Sequence, residues 1–126
     1  MVRVLPSEGE LAVVVAEGDL DVDDLITAYG DYLQRDAARL TLLDLSGASL
    51  SQIDAVSLRT VAQRVAELGK GVRSKKARSA VLARPVDYDL IRMLMTHLIV
   101  EGHPVRVAAF TNRDEAKAWL VGDDAE

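Results

Sequence analysis

The sequence predicts an α/β domain in which helices pack against a mainly parallel sheet. Short apolar runs alternate along the chain with longer segments whose apolar residues recur every three or four positions. These longer segments are long enough for the helical crossovers that join parallel strands, and such crossovers are right-handed. The element order is ββαβαβαβα, which predicts a four- to five-stranded, mostly parallel sheet with helices packed against it.

Two strands are expected before the first helix. The mainly apolar run 2–5 and the apolar run 11–16 are separated by the turn-like residues 7–9 (Ser-Glu-Gly), which indicates a hairpin. Three consecutive valines in the second run are typical of a strand that is buried on both faces. Asp21 is placed to cap the helix that follows. The apolar residues of that helix recur at helical spacing: Val22, Leu25, Ile26, Tyr29 and Leu33.

The middle of the chain predicts a buried strand and a second helix. The strand covers the leucine-rich residues 40–45 and should end at the turn-like pair Ser46 and Gly47. Ser51 is expected to cap the helix, with Asp54 three residues later in place of the Glu or Gln of a capping box. The helix has a single apolar stripe: Leu58, Val61, Ala62, Val65 and Leu68.

A third helix follows the next strand, residues 79–83. Pro85 and Asp87 are suited to its first turn, and Gly102 is suited to end it. The helix has more apolar residues than one stripe against the sheet requires. Either the helix is well buried, or part of its apolar surface binds a partner.

The last strand and helix complete one domain that spans residues 1–126. Residues 105–110 form the strand, and Asn112 caps the helix with Glu115 three residues later. The polar residues 122–126 are expected to form a flexible tail.

The composition argues against several classes of function. The 15 basic and 20 acidic residues give a net charge of −5, which disfavours general binding to nucleic acid or to an anionic membrane. The chain has no cysteine, which excludes disulfides, thiolate catalysis and cysteine-ligated metals. It also lacks the run of roughly 18 apolar residues that an integral membrane segment needs. We therefore expect a cytoplasmic protein.

The residues that carry catalysis or bind metals are scarce. The two histidines, His97 and His103, are not spaced as a metal pair on a helix. No Gly-x-Ser-x-Gly segment or glycine-rich phosphate loop is present. The sequence therefore predicts neither an enzyme nor a metal or cofactor site.

Two neighbouring segments resemble family motifs. Residues 43–48 read Leu-Asp-Leu-Ser-Gly-Ala, and residues 53–58 read Ile-Asp-Ala-Val-Ser-Leu. They resemble LDLSGV and Ile-Asp-Ser-Ser-Gly-Leu of the STAS domains, which occur in anti-sigma-factor antagonists and in cytoplasmic tails of anion transporters. The C-terminal half of the chain is similar to the divergent SpoIIAA-like branch of this family. The similarity lies at Tyr88, Arg92 and Met93 and over residues 115–120. The resemblance implies the STAS fold and a regulatory role in bacteria.

One position departs from the family pattern. In the antagonists, the Ser after the motif Asp is phosphorylated by a partner kinase. Here Asp54 matches that Asp, and Ala55 stands at the position of the Ser. The resemblance therefore implies a regulatory domain without the usual phosphoserine.

The segment that links the central strand to the second helix is the first candidate site. Ligands of open α/β sheets bind at the carboxyl ends of strands, and a helix N-terminus favours an anion. We predict a surface for a partner or an anion at these residues: Asp44, Ser46, Ser49, Ser51, Asp54 and Ser57. Ordinary turn and cap chemistry explains the same residues without a ligand.

The third helix is the second candidate, as an interface with a partner or within a homodimer. The residues expected there include two adaptable methionines: Tyr88, Arg92, Met93 and Met95. The leading hypothesis is a non-enzymatic regulatory or scaffold domain that acts through protein–protein contact. The alternative is a module for a lipid or nucleotide, of the lipid-transfer type, which predicts an apolar cavity of roughly 300 Å3 or more.

Overall fold

The computed structural model describes residues 2–4, 11–27, 40–68, 78–102 and 106–122. The strands form one sheet: β1 (Val2–Val4), β2 (Leu11–Asp19), β3 (Leu40–Ser49), β4 (Arg78–Leu82) and β5 (Arg106–Phe110). The helices are α1, described over residues 22–27, α2 (Ala55–Leu68), α3 (Tyr88–Val100) and α4 (Arg113–Val121). A 3-10 turn, Pro85–Asp87, leads directly into α3.

The five strands lie side by side in chain order, which confirms the predicted sheet. β1 is antiparallel to β2, and β2 to β5 are parallel to one another. Residues of α1, α2 and α3 belong to one core, so these helices lie on the same face, as right-handed crossovers between successive strands require.

The two faces of the sheet are covered differently. One core lies between the sheet and α1, α2 and α3, and its fully buried members include Val14, Leu58 and Ile91. A smaller core lies on the other face, where Leu120 of α4 packs with Leu42 of β3. α4 therefore covers the face of the sheet opposite to α1, α2 and α3.

β3 is longer than predicted. The sequence indicated an end at Ser46 and Gly47, but the strand continues to Ser49 beside β2. Its register with β2 shifts between the pairs Val15–Asp44 and Glu17–Gly47, so β3 has one extra residue there. This bulge explains why Leu45 and Ala48, three residues apart, belong to the same core.

Two of the three predicted caps are confirmed. The Asp24 N–H donates to Oδ1 of Asp21 at 2.8 Å, and the Asp21 N–H donates to Oδ2 of Asp24 at 3.1 Å. At the start of α4, the Glu115 N–H donates to Oδ1 of Asn112 at 3.1 Å. Each of these bonds joins residues three positions apart, so the local sequence pattern was enough to predict the two caps.

The predicted cap of α2 is wrong. The helix begins at Ala55, and Asp54 is its cap instead of Ser51. Leu50 and Ile53 are both buried, and the Ile53 N–H donates to the carbonyl of Leu50 at 3.0 Å. This turn anchors the chain to the core before the helix can begin.

The third helix begins and ends close to where the sequence indicated. The Pro85–Asp87 turn is held by an ion pair between Nε of Arg84 and Oδ2 of Asp87 at 2.9 Å. Gly102 follows the helix with a φ of +74°, a conformation that glycine adopts without strain.

Some predictions lie outside the described residues: Tyr29, Leu33, the turn at 7–9, His103 and the tail at 123–126. The extent of the domain over residues 1–126 stays a prediction. Among the helices described, none combines the length and the apolar character needed to span a membrane.

Candidate functional site

Asp44 lies in β3 at the last position that pairs with β4, and its carboxylate is engaged within the protein. Oδ2 accepts a hydrogen bond from Arg113, the first residue of α4. Oδ1 accepts from the backbone N–H of Ser46 at 2.9 Å and from its hydroxyl at 2.5 Å. Asp44 is only 5 % exposed. Oδ2 therefore joins β3 to α4, and Oδ1 is bonded within β3.

A second arginine, Arg78, contacts the carboxyl-terminal end of α4. Nη1 of Arg78 donates to the carbonyl of Trp119 at 2.9 Å, and its guanidinium lies 5.7 Å from the centroid of the indole ring. Phe110 packs against the same ring, with centroids 5.8 Å apart. Arg78 and Arg113 thus hold the two ends of α4 on the sheet. Sequence reasoning missed both contacts, because each joins residues that are far apart along the chain.

The remaining predicted residues lie between β3 and the start of α2. The hydroxyl of Ser49 donates to the hydroxyl of Ser51 at 3.0 Å and accepts from its backbone N–H at 3.3 Å. These bonds are local turn chemistry, as the simpler interpretation of the serines predicted. Ser51 and Gln52 are exposed on this turn.

Asp54 and Ser57 meet at the N-terminus of α2. The backbone N–H of Ser57 donates to Oδ1 of Asp54 at 2.7 Å. This hydrogen bond, together with one from the Ser57 side chain, lowers the pKa of Asp54 below its ordinary value of 3.8. The carboxylate therefore places a negative charge where the helix dipole favours one. An incoming anion would meet that charge.

Val56 is the most exposed large apolar residue among those described. It follows Asp54 and Ala55 in the first turn of α2 and is 83 % exposed. We call the exposed residues here the α2 start surface: Ser51, Gln52, Asp54, Ala55 and Val56. Asp44 and Ser46 are not part of this surface: they bond to each other, and Asp44 also bonds to Arg113 of α4. The sequence did not single out Val56, since exposure cannot be read from residue type.

The predicted interface on α3 is divided between the surface and the core. Arg92 and Met93 are exposed, and the Arg92 guanidinium lies 5.9 Å from the centroid of the half-buried Tyr88 ring. Met95 is buried against the sheet. Ile99, another of the apolar residues of this helix, is 79 % exposed. The outer face of α3 therefore presents mixed apolar and basic groups.

The apolar cavity between the sheet and the helices is small. It has a volume of about 30 Å3 and is lined by side chains that include Leu25, Val65, Leu94 and Val107. A cavity of this size has room for about one water molecule. Two open grooves, of about 370 and 430 Å3, lie beside Tyr88 along β5.

No three His, Cys, Asp or Glu residues in the part of the chain that is described are grouped so that they could hold a metal ion.

Comparison with known proteins identifies the fold. No protein-family profile matches the chain, and no curated protein matches it. The solved structures include an anti-sigma factor antagonist from Mycobacterium paratuberculosis that superposes with a TM-score of 0.60 at 21 % sequence identity. The match covers 97 % of this chain and 94 % of that one. The chain therefore has a STAS-like fold, as the sequence motifs implied.

Proposed function

We propose that this protein is a non-enzymatic regulatory or scaffold domain of the bacterial cytoplasm that binds a partner protein through the α2 start surface. The observation that carries the proposal is the exposure of Val56, 83 %, next to the charged Asp54. The STAS-like fold supports a regulatory role, since the similar solved structure is named as an anti-sigma factor antagonist.

The chemistry of this surface suits a protein better than an anion. Protein interfaces commonly combine an apolar centre with a polar rim. Here the apolar Val56 follows the polar, exposed residues Ser51, Gln52 and Asp54. Asp54 already occupies the N-terminus of α2 with its own carboxylate. A partner with an apolar pocket and a basic group near it would fit both side chains.

The proposed binding does not use the usual phosphoserine. Ala55 stands where the antagonists carry the phosphorylated Ser, and its methyl group cannot accept a phosphoryl group. Ser57, two residues later, donates its backbone N–H to Asp54. We therefore propose that the usual kinase does not switch the α2 start surface.

The ligand-binding alternative has little support from the described residues. This alternative requires an apolar cavity of roughly 300 Å3 or more between the sheet and a helix, while the cavity found there measures about 30 Å3. The side chains around it belong to the packed core.

The test compares two variants that each add one charge at an exposed valine. Val56→Glu alters the α2 start surface, and Val121→Glu, at the end of α4, is the matched control because Val121 is 67 % exposed. Wild type and both variants are used to capture proteins from the native lysate, after circular dichroism has verified that each is folded. We expect a partner that wild type and V121E retain and V56E loses. Recovery of the same proteins by all three chains would contradict the proposal.

A further inference from the structure

We infer that β5 is the dimerisation edge of this protein, where it pairs antiparallel with β5 of a second copy about a twofold axis at Ala108. The surface lies on the last strand of the sheet and does not include the α2 start surface. This inference therefore stands independently of the proposed function.

The outer edge of β5 has backbone groups available for pairing. β5 pairs with β4 on one side, and no strand among the described residues pairs with its other side. The Ala83 N–H donates to the carbonyl of Phe110 at 2.9 Å, so the peptide groups of Phe110 face β4. Because peptide groups alternate along a strand, those of Val107 and Ala109 point outward. Such outward groups are a template for another strand.

The positions of these outward groups suit a symmetric pair. With Ala108 on the axis, Val107 of each copy lies opposite Ala109 of the other. Residues that face each other in this way exchange both of their N–H···O bonds in an antiparallel ladder. β5 contains no proline and only one charged residue, Arg106 at its first position. Residues 107–110 therefore carry neither a proline nor a charge that would oppose a second strand.

Charge selects the antiparallel orientation. Arg106 is exposed at the amino end of β5, and Glu115 lines the groove at its carboxyl end with Phe110 and Thr111. An antiparallel pair brings Arg106 of each copy to the end where Glu115 of the other lies. A parallel pair would place the two Arg106 side chains beside each other, which is unfavourable. The arrangement is self-complementary, as a twofold interface requires.

The side chains near the edge allow a second backbone to approach. The groove between α3 and β5, about 430 Å3, is lined on the strand side by the small Ala108 and Ala109 and on the helix side by Tyr88 and Ile99. Ile99 lies beside this edge and is 79 % exposed. A second β5 laid along this edge would cover part of its apolar surface.

The first test uses sedimentation velocity on the full chain over a range of concentrations. Wild type is expected to dimerise, and Ala109→Pro is expected to stay monomeric up to its solubility limit. Proline at 109 removes an N–H that points away from β4, so the ladder between β4 and β5 is kept. Val56→Glu, at an exposed valine of α2 outside the proposed edge, should dimerise like wild type. A monomeric wild type would overturn the inference.

A second pair of variants tests the orientation without proline. Arg106→Glu and Glu115→Arg each place like charges together and should weaken the dimer about fivefold. The two variants mixed with each other, and the double variant R106E/E115R, should recover wild-type affinity. A dimer whose affinity is unchanged by A109P and by both charge reversals uses another surface, and that result would also overturn the inference.

Discussion

Asp44 and Arg113, 69 positions apart in the sequence, form the ion pair that joins the paired end of β3 to the first residue of α4. The carboxylate is buried, with its side chain 7 % exposed, whereas the arginine side chain is 46 % exposed. The pair is therefore unequal: removing the arginine leaves a buried charge, and removing the carboxylate leaves a cation that water can solvate.

This inequality predicts the cost of separating the pair. Arg113→Ala should lower the free energy of unfolding by about 2 kcal/mol, because Asp44 remains buried with Ser46 as its other partner. Arg59→Ala, an exposed position on α2, is the control and should have little effect. The measurement is urea unfolding at neutral pH. Adding Asp44→Asn to R113A should recover part of the loss, since a neutral amide is less costly to bury than a charge. Equal effects of R113A and R59A would show that the pair does not stabilise α4.

The pKa of Asp54 predicts a dependence of stability on pH. Hydrogen bonds from Ser57 lower this pKa in the folded state below its ordinary value of 3.8. An acid with a lowered folded-state pKa adds stability above its unfolded pKa, and that stability is lost as the pH falls through the folded pKa. Asp54→Asn should therefore be less stable than wild type at neutral pH, and the difference should shrink below about pH 3.8. Urea unfolding of both proteins at neutral and acidic pH measures this, with Asp89→Asn, an exposed residue of α3, as the control. A difference that persists unchanged into acid would contradict the role of the Asp54 charge.

The sequence predicted the features that depend on near neighbours. The caps Asp21 and Asn112 bond to residues three positions away, so their pattern is visible in the sequence. The parallel sheet follows from the alternation of strands and helices. At the start of α2, two residues had the right chemistry for a cap, and the burial of Leu50 and Ile53 decided between them.

Features that depend on distant neighbours were missed or misplaced. Ser46 and Gly47 carry a turn signal, but β2 runs alongside them and supplies the ladder that extends β3. Asp44 was predicted at a surface for a partner or an anion, and the sequence did not reveal its hydrogen bond with Arg113 at the start of α4. Which apolar residues stay exposed, such as Val56 and Ile99, depends on the packing of whole elements. The α2 start surface and the proposed dimer edge on β5 were therefore recognised from the packing of whole elements and not from the sequence.

The small apolar cavity predicts opposite effects for one added methylene at two buried valines. Val65 lines the cavity of about 30 Å3, so Val65→Ile can place its extra carbon in empty space. We expect V65I to raise the free energy of unfolding by about 0.5–1 kcal/mol. Val14 is equally apolar and fully buried but does not line the cavity, so Val14→Ile should lower stability by about 1 kcal/mol through overpacking. Urea unfolding of the two variants beside wild type makes the comparison. A loss of stability in V65I as large as that in V14I would mean that the space is not available to a methylene, and the core would then be packed more tightly than the cavity volume indicates.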